Sequence, residues 1–252
     1  VNIAKNQAPY ILYRYIFSTN FSHISHQTYK ISKVKIFLLH LYYLLIREMT
    51  KQNNNTHADW SYSAVLYEMN IRQLTPEGTL RAAEKKLEFL HSMGIDAIWM
   101  MPIYPIGEEN RKGSLGSYYS IQDYCAVNPE FGTMEDFDSF VAKAHSLGMK
   151  ILLDWVANHT ARDAKWLKTK SADWYEREAD GTAKIPWDWS DTAKLNYANR
   201  DVWRGQIKAM RFWVEKHNID GFRCDMAMLV PIEFWQQAAA VLNAVKPDIF
   251  ML

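Results

Sequence analysis

Apolar strands alternate with amphipathic helices along most of the chain, from residue 63 to residue 252. Short apolar runs predict four strands and the start of a fifth, at 64–69, 95–101, 149–154, 219–225 and 247–252. Helical spacing of apolar residues predicts the helices between them, at 79–93, 134–147, 200–217 and 231–245. Such alternation is typical of a parallel sheet covered by helices, which is the α/β fold class.

Two architectures share this alternation, the open doubly wound sheet and the (β/α)8 TIM barrel. A dinucleotide-binding sheet would carry a Gly-rich turn after its first strand, and the sequence has none there. Polar residues instead follow or close the predicted strands, and barrel enzymes carry their chemistry at that end. They are Asn70, Asp154, Arg223 and Asp225. We therefore predict a (β/α)8 barrel, present only as its first half.

Residues 1–48 differ from the rest of the chain. They hold six Lys or Arg and one Glu, whereas the remaining residues hold 23 basic and 27 acidic side chains. The basic residues are scattered, which argues against a nucleic-acid-binding arm. The apolar run at 36–46 is shorter than the roughly 20 residues that a transmembrane helix needs, so no membrane span is predicted.

A polar stretch begins at Met49, as at the start of a cytosolic protein. We therefore predict Met49 as the true start, residues 1–48 as translated upstream sequence outside any domain, and a cytoplasmic location. A membrane-associated leader is the alternative. The domain prediction is a partial catalytic barrel over residues 49–252.

Asp225 is the strongest candidate for a catalytic group. It closes a predicted strand two residues after Arg223, whose positive charge favours the ionised carboxylate. An ionised carboxylate can serve as the nucleophile of a retaining glycosidase. A structural Arg–Asp pair at the end of a strand is the alternative from these two residues alone.

Four motifs in order together resemble the α-amylase family, glycoside hydrolase family 13. They are Asp154-x-x-x-Asn158-His159, Gly221-Phe222-Arg223-x-Asp225, Leu195-Asn196, and the segment 116–133 after the second strand. The resemblance covers residues 63–252 and implies that residues 157–199 are a short domain B, inserted after the third strand.

The resemblance implies roles for five residues. Asp225 would be the nucleophile, and Arg223 would hold it ionised and oriented. His159 would donate a hydrogen bond to the sugar at the cleavage subsite, and Tyr119 would stack on that sugar. Asp154 would orient Arg223 or Tyr119.

The resemblance also implies limits on activity. The family carries its general acid as a Glu at the end of the fifth strand, where this sequence stops, and Glu233 lies in the preceding helix. General-acid help is worth about 10²–10⁴-fold, so we expect no glycosidase turnover from residues 1–252 alone. Met228 and Leu229 stand where many starch-cleaving endo-enzymes carry Lys-His, which favours small maltooligosaccharides or transglycosylation.

No cofactor is predicted, and calcium is left open. Asn158 aligns with a calcium ligand of some family members, and Asp188 and Asp191 are further candidates for a site that needs six to eight oxygens. The predicted function is retaining hydrolysis or transfer of α-glucosidic bonds, with an α-glucan or maltooligosaccharide as the partner molecule. A non-catalytic α-glucan-binding protein, a degenerate family member, is the alternative.

Overall fold

The computed structural model describes residues 57–252, so the predictions for residues 1–48 and for a start at Met49 lie outside the described residues. Five parallel strands form one sheet, in the order β1-β2-β3-β6-β7. They are β1 (Leu66–Met69), β2 (Ala97–Met100), β3 (Lys150–Val156), β6 (Gly221–Asp225) and β7 (Phe250–Met251). Two further strands, β4 (His159–Ala161) and β5 (Thr192–Lys194), pair antiparallel apart from this sheet.

Seven α-helices lie between or beside these strands within residues 57–252. They are α1 (Ile71–Leu74), α2 (Leu80–Glu84), α3 (Leu87–Ser92), α4 (Met134–Ser146), α5 (Lys165–Thr169), α6 (Arg200–His217) and α7 (Ile232–Val245). Among the described helices, none combines the length and apolar character needed to cross a membrane.

The order of the strands decides between the two predicted architectures. Every neighbour in the sheet is also the next parallel strand along the chain, and a helix precedes each new strand. A doubly wound sheet reverses its strand order at a switch point, and this sheet does not reverse. The prediction of barrel topology is confirmed, with the described strands forming part of a (β/α)8 barrel.

The ends of the long helices follow capping chemistry. Thr133 and Asp136 form a reciprocal capping box at the start of α4. Asn199 accepts a hydrogen bond from the backbone N–H of Asp201 at the start of α6, and Asn218 ends that helix in the left-handed conformation. These caps define where α4 begins and where α6 begins and ends.

The core lies between the sheet and its helices. Phe137 and Phe140 of α4, Met210 and Trp213 of α6 and Phe222 of β6 are fully buried there. Gly221 begins β6 where a side chain cannot fit, because an added Cβ would collide with the carbonyl oxygen of Phe250 on β7. The close approach of these two strands therefore requires glycine.

The insertion at 157–199 is more ordered than its irregular sequence predicts. Its strands β4 and β5 pair His159 with Lys194 and Ala161 with Thr192. A separate small apolar cluster supports this pair, with six buried members: Trp174, Tyr175, Ala183, Ala193, Leu195 and Val202. The segment packs onto the end of β3, next to the predicted site.

Several predicted element bounds differ from the observed ones, and two of the differences matter for the packing and the site. The helix predicted over 79–93 is two helices, because the backbone tightens at the exposed pair Lys85 and Lys86, where Lys86 donates to the carbonyl of Ala83. The third strand continues two residues beyond Asp154, to Val156. Asp154 is therefore inside the strand, and its side chain is completely buried.

Candidate active site

Arg223 lies between two carboxylates on neighbouring strands. The parallel register places Asp154 of β3 beside Arg223 of β6 and Val156 beside Asp225. Because side chains alternate along a strand, Arg223 and Asp225 share one face. Arg223 Nη1 donates to Asp225 Oδ1 at 2.7 Å and to both oxygens of Asp154 at 3.2 Å. The three residues that the sequence grouped are in direct contact.

The two carboxylates compete for this one guanidinium. Burial raises the pKa of Asp154 to about 7, although the charge of Arg223 opposes the rise and the charge of Asp225 adds to it. Burial also raises the pKa of Asp225, again against the charge and hydrogen bond of Arg223. The expectation that Arg223 keeps Asp225 ionised took account of the charge of Arg223 but not of the burial of Asp225.

Asp225 is nevertheless the carboxylate that a ligand can reach. Its side chain retains 11% of its exposure, and that of Arg223 retains 28%, whereas Asp154 has none. The residue after Asp225 is Met226, whose φ of 46° turns the chain sharply away from the strand. An open carboxylate oxygen beside a cation at the end of a strand is suited to nucleophilic attack.

Tyr119 and Trp99 complete the contacts of Asp154. The hydroxyl of Tyr119 donates to Asp154 Oδ2 at 3.3 Å, and the indole N–H of Trp99 donates to the same oxygen at 3.0 Å. The guanidinium of Arg223 also lies 4.8 Å from the ring centroid of Trp99. Tyr119 therefore contacts the site, and its stacking on a sugar stays a prediction. Sequence reasoning missed Trp99, which was assigned only to the second strand.

His159 is more enclosed than its predicted role suggests. The residue is 3% exposed, Nδ1 lies 3.2 Å from Asn158 Nδ2, and the ring packs 5.1 Å from that of Trp189. Burial lowers the pKa of His159 to about 4, so the neutral imidazole predominates at pH 7. The structure places it next to the site but covers much of the ring that was predicted to meet a sugar.

The calcium candidates do not form a recognisable set. Asn158 and Asp191 are buried and Asp188 is exposed. Asp191 Oδ2 is a buried oxygen without a hydrogen-bond partner, while Lys112 lies 3.5 Å from Oδ1. Within residues 57–252, no three His, Cys, Asp or Glu side chains group as a metal site.

Comparison with known proteins decides the family. The model of the α-amylase catalytic domain matches residues 44–192, which is more than half of the chain. The chain belongs to the α-amylase family. This confirms the resemblance drawn from the four motifs, and the order of the strands agrees with it.

Relatives in the α-amylase family include hydrolases and transferases. The chain is 28% identical to α-amylase 3 of Dictyoglomus thermophilum, over 87% of this chain and 49% of that protein. It is 34% identical to the α-1,4-glucan:maltose-1-phosphate maltosyltransferase of Arcanobacterium haemolyticum, over 69% of this chain and 28% of that protein. The solved structure of a noncanonic maltogenic α-amylase from Thermotoga neapolitana superposes with a TM-score of 0.70 at 41% identity, over 75% of this chain and 44% of that one. The chain thus spans about half or less of the length of these relatives.

Proposed function

We propose that this chain carries the nucleophile half of an α-amylase-type active site, which retains configuration while it hydrolyses or transfers α-glucosidic bonds. Asp225 is the proposed nucleophile and Arg223 its partner. Asp154, Tyr119 and Trp99 position that partner. The contact that carries the proposal is the 2.7 Å hydrogen bond between Arg223 and Asp225, whose carboxylate keeps 11% of its side-chain exposure.

In the proposed reaction, a carboxylate oxygen of Asp225 attacks the anomeric carbon and forms a glycosyl ester. The bond to the leaving group breaks, and the leaving group keeps the electron pair. Water then cleaves the ester to give hydrolysis, or a sugar hydroxyl does so to give transfer. Retaining enzymes use a second carboxyl group, about 5 Å from the first, to move the protons, and we assign no residue to that role.

The loop after Asp225 favours short substrates or transfer. Met228 lies on the turn Ala227–Leu229 and is 80% exposed. It borders a mainly apolar depression of about 550 Å³, which Pro231, Ile232 and Trp235 also line. An apolar wall provides few hydrogen bonds for the hydroxyls of a long glucan, so we propose small maltooligosaccharides as substrates.

A glycosyl fluoride tests Asp225 by itself, because fluoride leaves without a proton donor. Incubation with 5-fluoro-α-glucosyl fluoride should add one fluoroglucosyl unit to the protein. The 5-fluorine slows release of the ester, so the adduct accumulates. Intact-mass spectrometry detects the adduct, and peptide mapping should place it on Asp225.

Two variants control the labelling experiment. Asp225→Asn should remove the adduct. Asp123→Asn should label like wild type, since this carboxylate pairs with Lys165 away from Arg223. Labelling at another residue would contradict the nucleophile assignment. Binding of maltooligosaccharides by the wild-type chain without any adduct would instead support the alternative, a non-catalytic α-glucan-binding member of the family.

A further inference from the structure

Three aromatic rings form a row that begins at His159 and ends in solvent. His159 packs against Trp189 with ring centroids 5.1 Å apart, and Trp189 packs against Trp187 at 4.8 Å. Trp187 is 62% exposed, whereas His159 is buried. We propose that Trp187 and Trp189 form a stacking platform for a further glucosyl unit of the substrate. The proposal rests on the proposed function.

The backbone at Trp187 is the first argument. Its φ of 53° lies in the left-handed region, which a bulky residue rarely adopts. Such a conformation persists only where the surrounding structure holds it, and it concentrates at ligand sites. At Trp187 this strained conformation holds a large apolar ring in solvent, so burial of the ring in the core does not offset the strain.

The position of the row is the second argument. His159, at its inner end, begins β4 three residues after Val156, the residue of β3 that pairs with Asp225. Asp154, two residues before Val156, holds Arg223 beside Asp225. The row therefore runs outward from the residues that surround the proposed nucleophile, which is where further units of a bound oligosaccharide would lie.

The shape and polarity of the platform suit a sugar chain. The rings of Trp187 and Trp189 are tilted by 56° to one another, so they offer two differently oriented apolar faces. α-Linked glucans curve, and consecutive units present their faces at an angle. Asp188 lies between the two tryptophans and is exposed, so its carboxylate can accept hydrogen bonds from sugar hydroxyls.

Calorimetric binding of maltose and maltotetraose to Asp225→Asn tests the platform without turnover. In that background, Trp187→Ala and Trp187→Gly should weaken maltotetraose binding about 3- to 10-fold, as expected for one aromatic contact. Maltose binding should change less, because a disaccharide fills fewer subsites. Trp187→Tyr should stay within about 2-fold of the parent, since a ring remains.

The glycine variant separates binding from folding. Glycine adopts positive φ without strain, so Trp187→Gly should have a urea midpoint equal to or above that of the parent while it still loses affinity. Phe89→Ala removes another exposed ring, 62% exposed on α3, and should leave both affinities unchanged.

The outcomes distinguish the two proposals. Equal maltotetraose affinity in the parent and in Trp187→Gly would overturn the platform and leave the proposed function standing. A parent protein that binds neither sugar would overturn the proposed function, and the platform with it. Equal losses for maltose and maltotetraose would also contradict a separate, further subsite.

Discussion

Asp154 is a carboxylate with no exposed surface, and it shares a single guanidinium with Asp225. Burial disfavours its charged form more than Arg223 and the hydrogen bond from Trp99 favour it, so its pKa rises to about 7. A folded-state pKa above the unfolded value of about 3.9 means that the native state binds the proton more tightly. This group therefore contributes stability at low pH that is lost as the pH rises towards 7.

Asp154→Asn should remove that dependence. The free energy of unfolding of the variant minus that of wild type should rise between pH 4.5 and pH 8. The rise should reach about 1.4 kcal/mol per pH unit where the Asp154 carboxyl is ionised in the unfolded state and still protonated in the folded state. Urea unfolding at several pH values measures the difference. A constant offset from altered hydrogen bonds cancels, because only the slope with pH is compared.

Asp180→Asn provides a control of opposite sign. Hydrogen bonds from the side chain and backbone of Thr182 lower the pKa of this exposed carboxylate, so its contribution is lost as the pH falls. A relative stability of Asp154→Asn that is flat or falls with rising pH would contradict the burial argument.

Sequence could predict the charged residues of the site but not all their neighbours. Arg223 and Asp225 lie two residues apart on one strand, so the alternation of side chains alone brings them together. Trp99 reaches Asp154 from another strand, 55 residues earlier, and only the register of the sheet creates that contact. The enclosure of His159 likewise depends on Trp189, from the far side of the insertion.

Asp220, at the opposite end of β6 from Asp225, ties several elements together. Its carboxylate is 2.7 Å from Nε2 of His145 at the end of α4 and 2.9 Å from Nζ of Lys246 just after α7, and it accepts from the backbone N–H of Ile151 in β3. Burial alone would raise its pKa, but these hydrogen bonds and the charge of Lys246 lower it to about 2. His145 therefore has a structural role, as a partner of this buried carboxylate.

Asp220→Asn should destabilise the fold by roughly 2–3 kcal/mol near pH 6, the equivalent of a depression of about two pKa units. Because the folded pKa is depressed, this stability is present above the unfolded pKa of about 3.9 and is lost as the pH falls through about 2. The difference between wild type and variant should therefore shrink below pH 4. Urea unfolding over this range measures it.

Asp138→Asn is the matched control for Asp220→Asn. Asp138 is also on α4 and also pairs with a histidine, His217, but its side chain is 49% exposed. An exposed pair is worth at most about 1 kcal/mol, so its removal should cost much less. Equal costs for the two variants would show that burial of Asp220 contributes nothing.

Elements were predictable from sequence where local pattern determines them. α6 matches its predicted range because Asn199 caps it and a buried apolar stripe follows at helical spacing. The pair β4 and β5 was missed, since its three-residue strands are joined across about 30 residues and carry no local signal. Non-local pairing of this kind depends on the surface at the end of β3, which only the folded sheet supplies.

The whole sheet has two edges within residues 57–252. β1 pairs only with β2, and β7 pairs only with β6. Leu66 on β1 is 38% exposed and Val65 beside it is 50% exposed. Unpaired backbone next to exposed apolar side chains is a template for association with another strand. Strands that are apolar on both faces need covering on both faces, so this exposure leaves apolar surface available for association.

Leu66→Lys should therefore reduce self-association of the 252-residue chain, since a charged side chain on an edge strand opposes edge-to-edge pairing. Light scattering at micromolar concentration should show slower growth of aggregates than for wild type, with the urea midpoint recorded to separate this effect from unfolding.

Phe89→Lys places the same charge at an exposed apolar residue of α3, away from either edge. If Phe89→Lys lowered scattering as much as Leu66→Lys, net charge rather than the edge of β1 would govern association. A wild-type chain that stays monomeric at these concentrations would contradict the prediction that the edge of β1 promotes association.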